Sequence, residues 1–97
     1  MRKTIAGIAF EWDDEKEKLN DKKHGVDFDM AARVFFDPYH IELPDEAHSD
    51  YETRYKVLGM VENLLLVICT DRDEATRIIS ARKATAKEGR IYNGNRA

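Results

Sequence analysis

At 97 residues, with 42% hydrophobic and 36% charged residues and only two prolines, the chain has the length and composition of one modest globular core and not of a disordered segment. Its net charge of −3 excludes a nucleic-acid binder held by bulk charge, and its one cysteine excludes an intramolecular disulfide. The charge is uneven, since residues 76–97 carry six Lys/Arg and one Glu while the remainder carries ten and eighteen, so an anion site is expected near the basic end.

The opening MRKTIAGIAF is basic and then mildly apolar, shorter in its apolar part than a secretory core, and EWDDEKEK follows directly. The longest apolar run, Leu64 to Cys69, is far below the roughly 20 residues that cross a bilayer. With Cys69 read as a small buried hydrophobe in a reducing compartment, a cytoplasmic protein without membrane contact is expected. No repeat, low-complexity segment or linker is visible, so residues 1–97 are expected to form a single domain.

FEWDDEKEKLNDKKHG reads as a short strand and then a helix. Asp13 is its N-cap, acidic residues fill the first turn, basic ones the last, and Gly25 ends it. Asp13, Lys16, Asn20 and Lys23 or His24 recur at helical spacing and give a polar face, which on its own reads as solvated surface. In VDFDMAARVFFDP, Asp27 caps a second helix with Phe28, Ala31, Ala32 and Phe35 on its core face, and Pro38 stops it.

HIEL is a short strand, and PDEAHSDYETR a polar loop. YKVLGMV and LLLVICTD then flank a two-residue turn at Glu62-Asn63, which sets Val61 against Leu64, Val57 against Ile68 and Arg54 against Asp71. Both faces of the central strand are apolar, so each must be covered at least in part. TRIISARKA pairs back, and simple alternation sends Arg77, Ile79, Ala81 and Lys83 one way and Ile78, Ser80 and Arg82 the other. TAKE at 85–88 is a capping box that opens a short C-terminal helix. The expectation is a small α+β fold with an antiparallel sheet of about four strands, two N-terminal helices and one C-terminal helix.

FEWDDEKEKLNDKKHGV, FDMAARVFFDP, DEAHSDYETRYKVLG, LLLVICTDRDEATRIISARKATAKE and Tyr92, in that order, resemble the BrnT family of bacterial toxins over nearly the whole chain. The combination of the Trp-Asp helix start, Lys23-His24-Gly25, the run His48, Glu52, Arg54 and the RIISAR strand is specific; each alone is weak. The resemblance implies a RelE-like fold and a ribonuclease of a type II toxin–antitoxin system, cutting RNA without a metal and stopping translation. It implies as partner a BrnA-like ribbon-helix-helix antitoxin, with operator DNA bound only through the antitoxin complex. Glu15, Glu17 and Lys18 depart from the small residues usual at helix 1 of the family, so a looser docking of that helix is expected.

Cleavage through the RNA 2′-OH needs a proton acceptor, cations for the pentacoordinate phosphorus and a proton donor for the 5′-oxygen. Carried onto the matching positions, His48 and Glu52 are the proton-transfer pair, in either order, and Arg54, Arg77 and Arg82 hold the scissile phosphate. Lys23, His24, Arg72 and Lys83 would follow the flanking backbone, and Tyr92 would stack on a base or donate a proton. Each residue has a plainer reading. His48 can be a surface histidine, and Glu52 and Arg54 can pair with each other or with Asp71. Arg77 and Arg82 can be sheet-edge ion pairs, His24 can complement its helix end, and Tyr92 can be core.

The histidines 24, 40 and 48 have no two-ligand spacing, and neither a glycine-rich phosphate loop nor a nucleophile elbow is present, so no metal or cofactor is expected. The rival to a ribonuclease is a non-catalytic interaction module whose arginines bind an acidic partner.

Overall fold

The computed structural model describes residues 1–48 and 52–96. Six strands form one sheet: β1 (Arg2–Ile5), β2 (Ile8–Glu11), β3 (Ile41–Pro44), β4 (Arg54–Val61), β5 (Asn63–Arg72) and β6 (Ala75–Lys83). Their order is β1-β2-β6-β5-β4-β3, antiparallel throughout except for a short parallel pairing of β2 with β6. The expectation of about four antiparallel strands is therefore corrected. The segment before Glu11 forms a whole hairpin, turning through Ala6 and Gly7 at positive φ, and the helices between β2 and β6 let those two strands run parallel.

Helix α1 (Asp14–His24) starts where Asp13 accepts from the N–H groups of Glu15 and Lys16 and ends where Gly25, at φ 70°, donates to the Asp21 carbonyl. Helix α2 (Phe28–Ala32) is capped by Asp27 and passes into a 3-10 turn, Arg33–Phe36, before Pro38. A second 3-10 turn, Glu46–His48, precedes β4, and α3 (Ala86–Arg96) closes the chain. The capping box holds as read: Glu88 N–H donates to Thr85 Oγ, and Thr85 N–H to Glu88 Oε1.

The larger core packs Phe28, Ala31, Ala32 and Val34 against Phe10, Val57, Leu65, Val67, Cys69, Ile78 and Ala81 on one face of the sheet. Gly59 permits this approach, because a Cβ there would sit 2.6 Å from Val34 Cβ. On the other face Tyr92 of α3 covers Leu58 and Leu66, Thr70 is 2% exposed, and the stretch around Ile68 and Ser80 is left half open. Helix α1 docks through polar groups. Glu17, expected to loosen it, accepts from Trp12 Nε1 at 3.1 Å and from Phe28 N–H at 2.9 Å.

Two registers differ from simple alternation. Glu62 alone forms the β4–β5 tip at φ 62°, so Val61 faces Asn63, Val57 faces Val67, Met60 faces Leu64 and Arg54 faces Thr70. A one-residue slip turns the whole strand over, and here it puts Leu65, Val67 and Cys69 with Val57 in the larger core. On β6, Ser80 lies opposite Ile68 and Ile78 opposite Cys69, so Ile79 is an extra residue, a β-bulge.

Candidate active site

The bulge decides the geometry of the site. Ile78 and Ala81 both face the larger core, which leaves Arg77, Ser80 and Arg82 together on the open face. Alternation had sent Arg77 and Arg82 to opposite faces; the extra residue between them reverses that. Arg54, Thr70 and Arg77 form one row across β4, β5 and β6, Lys56, Ile68 and Ser80 the next, and Leu58, Leu66 and Arg82 a third. At about 3.3 Å per residue, the backbones of Arg77 and Arg82 lie roughly 13 Å apart along the strand.

Beside these rows is a hollow of about 380 Å³, lined by Lys23 and His24 from the end of α1, Asp45 from the loop after β3, Lys56, Leu66, Ile68, Ser80, Ala81 and Arg82. Asn20 holds α1 in place to form its wall. Its amide donates to the carbonyls of Val26 and Ala81 and accepts from Ala81 N–H, taking the part of a strand where β2 no longer reaches along β6. The polar face of α1 is thus turned onto the sheet edge, while Leu19 is 66% exposed.

Each of the three arginines has a carboxylate beside it. Arg54 Nη2 lies 3.4 Å from Glu52 Oε1, and Arg77 Nη1 lies 3.7 Å from Glu11 Oε2. Arg82 makes a two-pronged contact with Glu88, at 2.8 and 3.0 Å. The guanidinium, aided by Thr85, pulls the Glu88 carboxyl down to about 2, and Glu88 in turn raises Arg82. Glu52 pairs with Arg54, whereas Asp71 accepts from the Tyr55 hydroxyl.

The remaining candidates divide. The side chain of His48 lies outside the described residues, although its backbone ends the second 3-10 turn. Arg72 is exposed at the β5–β6 hairpin, away from the hollow, and Lys83 follows the parity of Ala81, toward the opposite face. Tyr92 is 2% exposed, packed on Leu58 and Leu66 and bonded through its hydroxyl to Asp37, so no ring face is open for a base.

Sequence reasoning missed Lys56, Asp45 and Glu11. Lys56 had a signal, since it lies two residues past Arg54 on the same strand face. Asp45, 2% exposed, and Glu11, whose Oε1 is buried without a hydrogen-bond partner, depend on tertiary placement that no local pattern carries. Among the described residues no cluster of three His, Cys, Asp or Glu side chains could hold a metal ion, and no helix is long and apolar enough to cross a membrane.

Residues 12–88 match the family model described as the ribonuclease toxin, BrnT, of type II toxin–antitoxin systems. The chain is similar to the 1.1 Å crystal structure of the Brucella abortus ribonuclease toxin BrnT, with a TM-score of 0.63 and 26% identity, over 78% of this chain and 95% of that one. No curated protein matches.

Proposed function

The chain belongs to the BrnT family of ribonuclease toxins, and from that premise we propose that it is a metal-independent endoribonuclease that cuts RNA in the cytoplasm, stops translation and is held inactive by a ribbon-helix-helix antitoxin. Operator DNA would be reached only through the complex with that antitoxin. The observation that carries the reading is the shared open face: the bulge at Ile79 brings Arg77 and Arg82 onto the side of the sheet that also bears Arg54 and the cationic hollow.

In the proposed reaction Glu52 or His48 takes the proton of the ribose 2′-OH as the 2′-oxygen attacks phosphorus. The bond to the 5′-oxygen breaks, and the other member of the pair returns a proton to that oxygen. The products are a 2′,3′-cyclic phosphate and a 5′-hydroxyl end. Arg54, Arg77 and Arg82 meet the charge that builds on the phosphoryl oxygens, because a guanidinium stays protonated and its fork matches two oxygens. Glu52 is within 3.4 Å of Arg54, so base and cation would act on one linkage.

The carboxylate beside each of Arg54, Arg77 and Arg82 favours the rival, an interaction module with a structural ion-pair set. The test is cleavage of RNA by antitoxin-free protein in EDTA. General acid–base help is worth roughly 10²–10⁴-fold, so Glu52→Gln is expected to lower the rate by about that factor, and Arg77→Ala and Arg82→Ala to abolish measurable cutting. Folded protein that binds its partner at full strength and never cuts RNA, with or without chelator, selects the module.

A further inference from the structure

The three arginines are internally neutralised, yet a polyanion is drawn in by charge that is not already compensated. Among the described residues, two lysines on the walls of the 380 Å³ hollow have neither an ion-pair nor a hydrogen-bond partner: Lys23 at the end of α1 and Lys56 on β4. Two strand spacings separate β4 from β6, about 10 Å, so the lysines stand on opposite sides of the opening with Ile68 and Ser80 as its floor.

Lys56, with Leu66, also lines a second hollow of about 220 Å³. That space is lined by Leu43, Leu58 and Leu66 and by Lys87, Glu88 and Ile91 of the α3 side. A strand of RNA running along the face from Arg77 toward α3 would therefore pass Lys56.

From these observations we infer that Lys56, with Lys23 facing it, forms a second phosphate subsite that takes a backbone phosphate next to the scissile one and supplies the salt-sensitive part of RNA affinity. This rests on the ribonuclease reading. The division of labour is physical. An arginine that already has a carboxylate brings little net charge to a phosphate and releases few of the cations condensed on RNA, whereas an unpaired lysine neutralises a phosphate and sets its condensed cation free.

The experiment is equilibrium binding of a non-cleavable 2′-O-methyl RNA oligonucleotide across a range of salt concentrations, with cleavage of ordinary RNA measured in parallel. For a single strand each lost phosphate contact lowers the log–log salt slope by about 0.7, equivalent to roughly 5-fold weaker binding at 0.1 M relative to 1 M salt. Lys56→Gln is expected to show this loss, Lys56→Arg to restore the slope, and Lys22→Gln, on the exposed side of α1, to leave it unchanged. A Lys56→Gln slope equal to that of the parent overturns the subsite even if RNA is still cut. A reduced slope in a protein that cuts no RNA upholds the subsite and removes only the catalytic reading.

Discussion

Tyr92 joins segments 55 residues apart: its hydroxyl donates to Asp37 Oδ2, which also accepts from Met60 N–H, while Asp37 Oδ1 accepts from Tyr39 N–H. Burial alone would raise the Asp37 carboxyl, but these bonds, the one from Tyr92 largest among them, hold it below its ordinary value. One carboxylate thereby fixes the segment before β3, the end of β4 and α3. Tyr92→Phe keeps the ring over Leu58 and Leu66 and removes only the donor. A hydrogen bond to a charged group is worth about 1.5–3 kcal/mol, so a loss of stability of that size is expected, read as a lower urea midpoint at unchanged denaturant slope. A variant as stable as the parent would mean that Asp37 finds water in place of the phenol.

At the scale of elements, what was legible in the sequence is what local chemistry decides. Asp13 and Gly25 bound α1, Asp27 opens α2, and Thr85 and Glu88 open α3, because a cap is a contact between near neighbours. The registers of β5 and β6 were not legible, since each turns on one residue. Glu62 takes positive φ alone, and Ile79 bulges so that both Ile78 and Ala81 stay buried. The arginine row was hidden for the same reason, as its alignment is a by-product of packing the opposite face. Asn20 was seen as part of a polar stripe, but its role needed the β6 edge, 61 residues away. Replacing it with Leu would strip the Ala81 N–H and two carbonyls of their partner inside a buried contact. At roughly 1–3 kcal/mol for each of the three buried groups left unpaired, a destabilisation of at least about 3 kcal/mol is expected. Asn20→Asp can still accept from Ala81 N–H but sets a carboxylate oxygen against the two carbonyls, so it is expected to be no more stable than the Leu substitution. Urea unfolding decides it, and equal stability of all three proteins would show that α1 is held by something other than this clip.

Across the whole molecule, the two anchors of α3 are both carboxylates: Asp37 holds Tyr92, and Glu88 holds Arg82 on β6. Both titrate below their ordinary values, so protonation works against the attachment of α3 to the open face. The sign follows from proton counting. As pH falls below the ordinary carboxylate value of 4.5, the unfolded chain takes up a proton at Glu88 while the folded protein, with its value near 2, does not. Stability is therefore complete above about pH 4.5 and drains away as pH falls toward about 2. Glu88→Gln separates this from general acid unfolding, because Gln still serves the capping box but carries no charge for Arg82 to hold. That variant should be less stable than the parent near neutrality, with the difference shrinking as pH drops through the window from about 4.5 to about 2. Urea midpoints taken at steps across this range give the two curves. Parallel curves would mean that the charge on Glu88 contributes nothing, and that Arg82 is held at the rim of the hollow by packing alone.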